Sequence, residues 1–266
     1  RYFGKDEWTL TQYGPQDMNS MFYTLYNPRK GLIVVDGGWS EDADYVRNQI
    51  RKCGNKVDTW IITHPHEDHA GAFTQIWQNK KGMQIGRVLT AQMPSPEECL
   101  SAAPWDNMDS YEAFLALDIP QLTYVKAGDE FDLLGLEMKV LSAFDENVRE
   151  LSRDYLNDGS VMFRVKGPRK SILFCADVGK SMSNFLRKKW KGELKSSYVQ
   201  MGHHGNGGLK PKFYKKVKAS TALFDAPDWL MYDETGTYGT PAKIELMEEL
   251  GCEILSFNSA PNSLPL

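Results

Sequence analysis

The sequence predicts a layered α/β fold, and three observations predict it. Short β-branched runs alternate with segments of helical periodicity along almost the whole chain. The 266 residues, 41% of them hydrophobic, suffice for one substantial core and fit one domain over residues 1–266 better than two. Aromatic residues make up 12% of the chain, too many for a disordered segment.

The elements follow in order. After an N-terminal β region, residues 41–52 read as a helix with Ala43, Val46 and Ile50 on one face. Residues 58–63, with an apolar and largely β-branched interior, read as a strand. Helix 70–80 carries Phe73, Ile76 and Trp77 at i, i+3 and i+4. Ile85 to Thr90 is a short strand. Residues 91–120 hold Pro94, Pro96, Pro104 and Pro120, with a helix around 111–117. A long irregular stretch of this kind is often functional, here as a wall of the site. Residues 131–141 form a hairpin interrupted at Gly135, and 161–165 and 172–176 flank a second hairpin turn at Lys166 to Lys170. Helices at 181–190, 211–217 and 241–250 then alternate with strands at 197–201, 219–224 and 252–257.

Composition excludes some functions. A net charge of −4 provides no electrostatic case for tight nucleic-acid or membrane binding. No apolar run approaches the ~20 residues of a membrane span. The chain begins at Arg1, and loss of an N-terminal leader would make it extracytoplasmic, so compartment stays open. Cys53, Cys99, Cys175 and Cys252 are widely spaced, which argues against a cysteine metal site or redox dithiol.

The chemistry concentrates in Thr63-His64-Pro65-His66-Glu67-Asp68-His69-Ala70-Gly71. Three of the five histidines lie here, and the other two are adjacent at His203-His204. Imidazole and carboxylate suit zinc and related divalent ions. On a strand-to-helix turn, His64 and His66 aim at one ion, and Asp68 and His69 at a second.

This His-x-His-x-Asp-His pattern resembles the signature of the metallo-β-lactamase superfamily. The resemblance continues in Gly31 to Gly38, ending in Asp-Gly-Gly, in Ser171 to Asp177, and in Tyr198 to Gly205. It implies an αββα sandwich of two central sheets with helices outside and the ligand turns at one edge. It also implies that Asp177 bridges two ions and that one of His203 and His204 binds the second. From an extended backbone those two side chains would point to opposite faces; the other histidine would contact substrate or donate a proton to the leaving group. Asp36 would orient the ligand loop rather than bind metal.

A narrower resemblance, to the domain of bacterial competence DNA-uptake channels and to bacterial phosphorylcholine esterases, rests on His203-His204-Gly205, Asn157 to Phe163 and Thr237 to Pro241. Thr240 stands where that subgroup has histidine, which puts DNA in doubt as substrate. The superfamily's further histidine upstream of the bridging aspartate is absent here. Asn157 or Asp158 substitutes for it, or the first site is weaker; an oxygen ligand there makes manganese an alternative to zinc, with one or two ions per chain. Gly205, Gly207 and Gly208 are candidates to face a phosphate, and Trp39, Trp105 and Tyr238 to line a pocket.

The expected activity is therefore metal-dependent hydrolysis by a metal-activated hydroxide, with Asp68 and the His203–His204 pair at the chemistry. A small phosphodiester is favoured as substrate. The alternatives are a lactam, lactone or thioester hydrolase, and a non-catalytic metal-stabilised binding domain. A redox reaction with flavin would need a domain that this length does not supply. The sequence leaves oligomeric state open.

Overall fold

The structure is a computed structural model that describes residues 7–15, 17–258 and 260–266; the first six residues of the expected 1–266 unit lie outside them. Strands β1 (Thr9–Tyr13), β2 (Phe22–Asn27), β3 (Gly31–Asp36), β4 (Lys56–Ile61), β5 (Gln84–Ala91) and β6 (Leu122–Val125) form one sheet in that order. Strands β7 (Glu130–Leu133), β8 (Leu136–Ser142), β9 (Met162–Lys166), β10 (Ser171–Phe174), β11 (Tyr198–Gln200), β12 (Thr221–Phe224) and β13 (Glu253–Ser256) form the other. β14 (Asn262–Pro265) returns to pair antiparallel with β1, so each sheet has seven strands. β3 to β6 run parallel to one another, as do β10 to β13.

The helices are α1 (Ala43–Lys52), α2 (Glu67–Gln78), α3 (Pro96–Ala102), α4 (Asp109–Leu115), α5 (Glu146–Leu151), α6 (Tyr155–Asp158), α7 (Ser183–Lys189), α8 (Pro211–Val217), α9 (Asp228–Met231) and α10 (Thr240–Glu249). None is long and apolar enough to cross a membrane among the described residues.

Period-two alternation builds the layers. On β3, Ile33 and Val35 face the opposite sheet and meet Phe163, Val165 and Phe174. Leu32 and Val34 face outward and meet Val46 and Ile50 of α1 and Phe73 and Ile76 of α2. On β10, Ile172 and Phe174 point inward, while Leu173 packs outward with Leu186 of α7 and Phe213 of α8. The three apolar layers make an αββα sandwich, as expected. Each fully buried Val, Leu, Ile or Phe contributes about 1.5–3 kcal/mol.

Two local expectations change. The helix placed at 70–80 begins at Glu67, because His66 is extended (φ −67°, ψ 156°) and its carbonyl accepts from the amides of His69 and Ala70. Asp68 and His69 therefore sit on the first helical turn, where polar residues hide the apolar period. The stretch 91–120 is also more regular than its prolines suggest. Ser95 caps α3 through the amide of Glu98, with Pro96 in the first turn, and α4 follows after a loop.

The carboxyl ends of β3, β4, β10, β11 and β12 open at one edge of the sandwich. The loops there carry Asp36, His64 to His69, Asp177, His203-His204 and Asp225. Open α/β sheets bind ligands at this end of their strands.

Candidate metal centre

Four histidines converge, and each is held from its far side. His64 Nε2 meets His66 Nδ1 at 3.0 Å, while His64 Nδ1 lies 3.2 Å from Thr63 Oγ1. His69 Nε2 is 3.2 Å from Asp177 Oδ1 and 3.4 Å from His204 Nε2. Its Nδ1 rests on Asp36 Oδ2 at 2.7 Å. His204 Nε2 is 3.0 Å from Asp68 Oδ2, and its Nδ1 donates to the main-chain oxygen of Asp225 at 2.9 Å. His66 Nε2 lies 3.1 Å from both carboxylate oxygens of Asp106. A histidine whose far nitrogen is engaged presents the other in one tautomer and one direction.

Asp36 stands where the sequence expects it. It is fully buried, at the end of β3, with a positive φ of 51°. It accepts from the Thr63 amide at 2.7 Å and the Thr63 hydroxyl at 2.6 Å besides its contact with His69. Ala176, His203 and His204 also have positive φ. Left-handed backbone at non-glycine residues costs energy, and here it recurs on the loops that gather these side chains.

The two acidic groups are also oriented. Asp68 Oδ2 accepts from Asn19 Nδ2 at 2.7 Å. Asp177 is buried, and its Oδ1 faces His69 Nε2 at 3.2 Å. Gln200, wholly buried, accepts from the amides of Cys175 and Ala176 just before Asp177. Its Nε2 donates to Asp225 Oδ2, whose other oxygen accepts from Gln12 and Tyr23. Sequence reasoning missed Asn19, Asp106, Gln200 and Asp225. Asp225 had a usable signal, an acid closing an apolar strand as Asp36 does; Asp106, in a proline-bounded loop, had none.

The structure brings together most, not all, of the expected residues. Ligand atoms of His64, His69 and Asp177 lie within 4.8 Å of one another, as do those of Asp68, His69 and His204. His69 thus stands between the two groups rather than wholly in the second. His203 and His204 are both left-handed, so the extended-strand alternation expected of them does not apply. Their separation arises from the turn instead: His204 is buried, while the His203 side chain is 41% exposed at the rim, 3.8 Å from Asp177 Oδ2.

Asp158 is used elsewhere. Its carboxylate accepts from Ser152 Oγ at 2.5 Å and the Gly179 amide at 2.6 Å, bracing the loop after Asp177. Asn157 lines the cavity, and its Oδ1 is buried without a partner. Thr240 is fully buried against the turn, near the α-carbon of Gly205, so residue 240 does not face substrate.

Electrostatics couple the cluster. Burial alone would raise Asp68 and Asp177, but His69 and His204 outweigh it and hold both below the usual carboxylate range. Burial alone would lower His69 and His204; the aspartates reverse that, raising His69 strongly and pushing His204 up to about 10. His64, buried and beside two other histidines, is pushed well down. His66 is raised, because Asp106 more than offsets its burial. Without metal the cluster thus pairs its own charges.

An open cavity of about 550 Å³ lies over these residues, lined by Asn19, Trp39, Glu67, Asp106 and Asp109 among others. An adjoining hollow of about 460 Å³ shares Asn157, Asp177 and His203 with it and adds Trp105, Arg153, Lys180, Gly207 and Gly208. Trp39 and Trp105 therefore line the site as expected. Tyr238 packs edge-on against Trp229 of α9 and lines neither space. The imidazole and carboxylate groups, the buried unpartnered oxygen of Asn157 and the open cavity fit a divalent ion. His64, His66, Asn157 and Asp177 could hold one, and Asp68, His69, His204 and Asp177 another.

The model of the metallo-β-lactamase superfamily matches residues 15–118. The chain is a metallo-β-lactamase-fold protein. Solved structures agree on this fold. CmlA, a diiron β-hydroxylase from Streptomyces venezuelae, superposes with a TM-score of 0.64 at 15% identity, covering 99% of this chain but 55% of its own. This metallo-β-lactamase-fold chain thus spans about half the length of CmlA. YhfI from Bacillus subtilis gives 0.59 at 11% identity, with 97% and 100% of the two chains covered. A diphosphatase of the PhnP family gives 0.54 at 12% identity, with 98% of each covered. No curated protein sequence matches.

Proposed function

We propose that this chain, acting as one unit, is a metal-dependent hydrolase of a small phosphodiester. The observation that carries the reading is the convergence of four back-anchored imidazoles and two carboxylates beneath an open cavity. A structural metal site is closed by its ligands, whereas a catalytic one keeps an open position. Divalent ions held there supply a nucleophile at neutral pH and polarise the scissile group. Zinc suits the imidazole-rich half; Asn157, the remaining oxygen candidate for the other half, favours manganese as an alternative.

The residues divide the remaining work. Asp68 and Asp177 would hold the ions together with His69 and His204. His203, exposed at the border of the cavity and the adjoining hollow, is placed to hand a proton to a departing alkoxide. Gly207 and Gly208, with Lys180 and Arg153, line the side where phosphate oxygens would lie. Arg153 and Lys180 have no ion-pair partner among the described residues. The main cavity, in contrast, is lined by Glu67, Asp68, Asp106, Asp109 and Asp177 and, among the described residues, by no lysine or arginine. Acid lining and a net charge of −4 disfavour a long polyanion and favour a small substrate.

The test compares bis-p-nitrophenyl phosphate, p-nitrophenyl phosphorylcholine, single-stranded DNA and nitrocefin after loading with zinc, manganese or iron(II). Phosphodiester turnover is expected to exceed nitrocefin turnover. Efficient lactam cleavage with inert phosphodiesters would reverse the substrate assignment. Robust DNA cleavage would retain the bond class and remove the preference for small substrates.

A further inference from the structure

We infer that Asp106 is a positioning residue for the half of the centre built on His64 and His66, acting through His66 alone. The inference rests on the metal reading above. His66 is the most exposed of the four converging histidines, with 18% of its side chain accessible against 4% or less for His69 and His204. Its backbone is the extended residue before α2, with no helical packing to fix the ring. What fixes it is a fork. Nε2 lies 3.1 Å from Oδ1 and 3.1 Å from Oδ2 of Asp106, so its N–H points between the two oxygens. Nδ1 is thereby turned to within 3.0 Å of His64 Nε2, where both nitrogens can address one ion.

Asp106 cannot be a ligand in this arrangement, because the imidazole ring stands between its carboxylate and the converging nitrogens. Its own position is determined independently of His66. Oδ1 accepts from the Asn107 amide at 2.8 Å, and the Asp106 amide donates to the Ala103 carbonyl at 3.0 Å. Ala103 and Met108, on either side, are buried and anchor the loop to the body of the protein. Asp36 performs the same service for His69 from within the core. The loop between α3 and α4 is therefore part of the metal centre as well as a wall of the cavity.

A carboxylate behind a ligating histidine is typically worth about 10–100-fold in metal affinity. Zinc binding to the full chain, measured by competition with a chromogenic chelator, should resolve two steps in the unaltered protein. Asp106→Ala should weaken one step by about 10–100-fold and leave the other unchanged, while the metal-free protein still melts cooperatively. Asp106→Asn, whose amide oxygen still accepts from Nε2–H, should restore most of the loss. In a His66→Ala background the Asp106→Ala change should have no further effect, since a residue acting only through His66 cannot add to its removal. Unchanged binding in Asp106→Ala, or an additive loss in the His66→Ala background, would overturn the inference and leave the metal reading standing. Absence of zinc and manganese from the unaltered protein would overturn both.

Discussion

His66 and His69 lie three residues apart and face the same centre, yet they are held by different means. His69 is wholly buried, and the aspartate behind it is wholly buried and tied twice to Thr63. His204, its neighbour, is backed by a main-chain oxygen at the end of β12. His66 is backed by an aspartate on a surface loop, and Asn157 lines the same cavity. One half of the centre is thus a product of the sandwich core, and the other depends on loops. Rigid elements hold ligands more closely than loops do. The two ions should therefore bind in order, first at Asp68, His69 and His204.

The strongest way to break this comparison is to remove a carboxylate that serves the core-built half. Asp68→Ala and Asp177→Ala should each reduce phosphodiester hydrolysis to background with metal present, while circular dichroism and the cooperative melt persist, because the apolar layers do not involve either residue. Near-normal turnover in either variant would refute the proposed division of labour.

A smaller effect is expected behind His69. Asp36→Ala leaves the Thr63 amide unpaired in the interior, at a cost of about 1–3 kcal/mol. It should also weaken the tighter metal step by about 10–100-fold. Chemical denaturation and chelator competition on the same preparation measure the two. If Asp36→Ala instead weakened only the looser step, the two halves would have to be reassigned.

The finest test concerns protons. In the metal-free chain His69 and His204 are held in the charged form by Asp177 and Asp68. A ligating imidazole must be neutral, so uptake of the first ion at pH 7 should release protons, and affinity should rise with pH. Calorimetry in buffers of different ionisation enthalpy counts them; heats independent of buffer would contradict the charge pairing. The same linkage acts on the metal-free fold. His204, raised from 6.5 to about 10, adds stability that is complete below pH 6.5 and is lost as pH rises through about 10.

The sequence by itself determined the layers and most of the chemistry. The unbroken apolar run Leu32 to Val35 and the i, i+3, i+4 spacing of Phe73, Ile76 and Trp77 are local patterns, and burial follows from them. The His64 to His69 cluster is equally local, since its residues share one turn. Asp36 and Asp177 were legible through the resemblance of their segments to the metallo-β-lactamase superfamily. Tertiary structure decided what local pattern cannot express. It turned His204 inward and His203 outward through two left-handed residues, and it committed Asp158 to Ser152 and Gly179, leaving Asn157 at the cavity. It also brought Asn19, Asp106 and Asp225 against histidines and aspartates far away in the chain. These contacts are made between separate loops, and their distances are set by how the two sheets stack. No spacing within one segment records that.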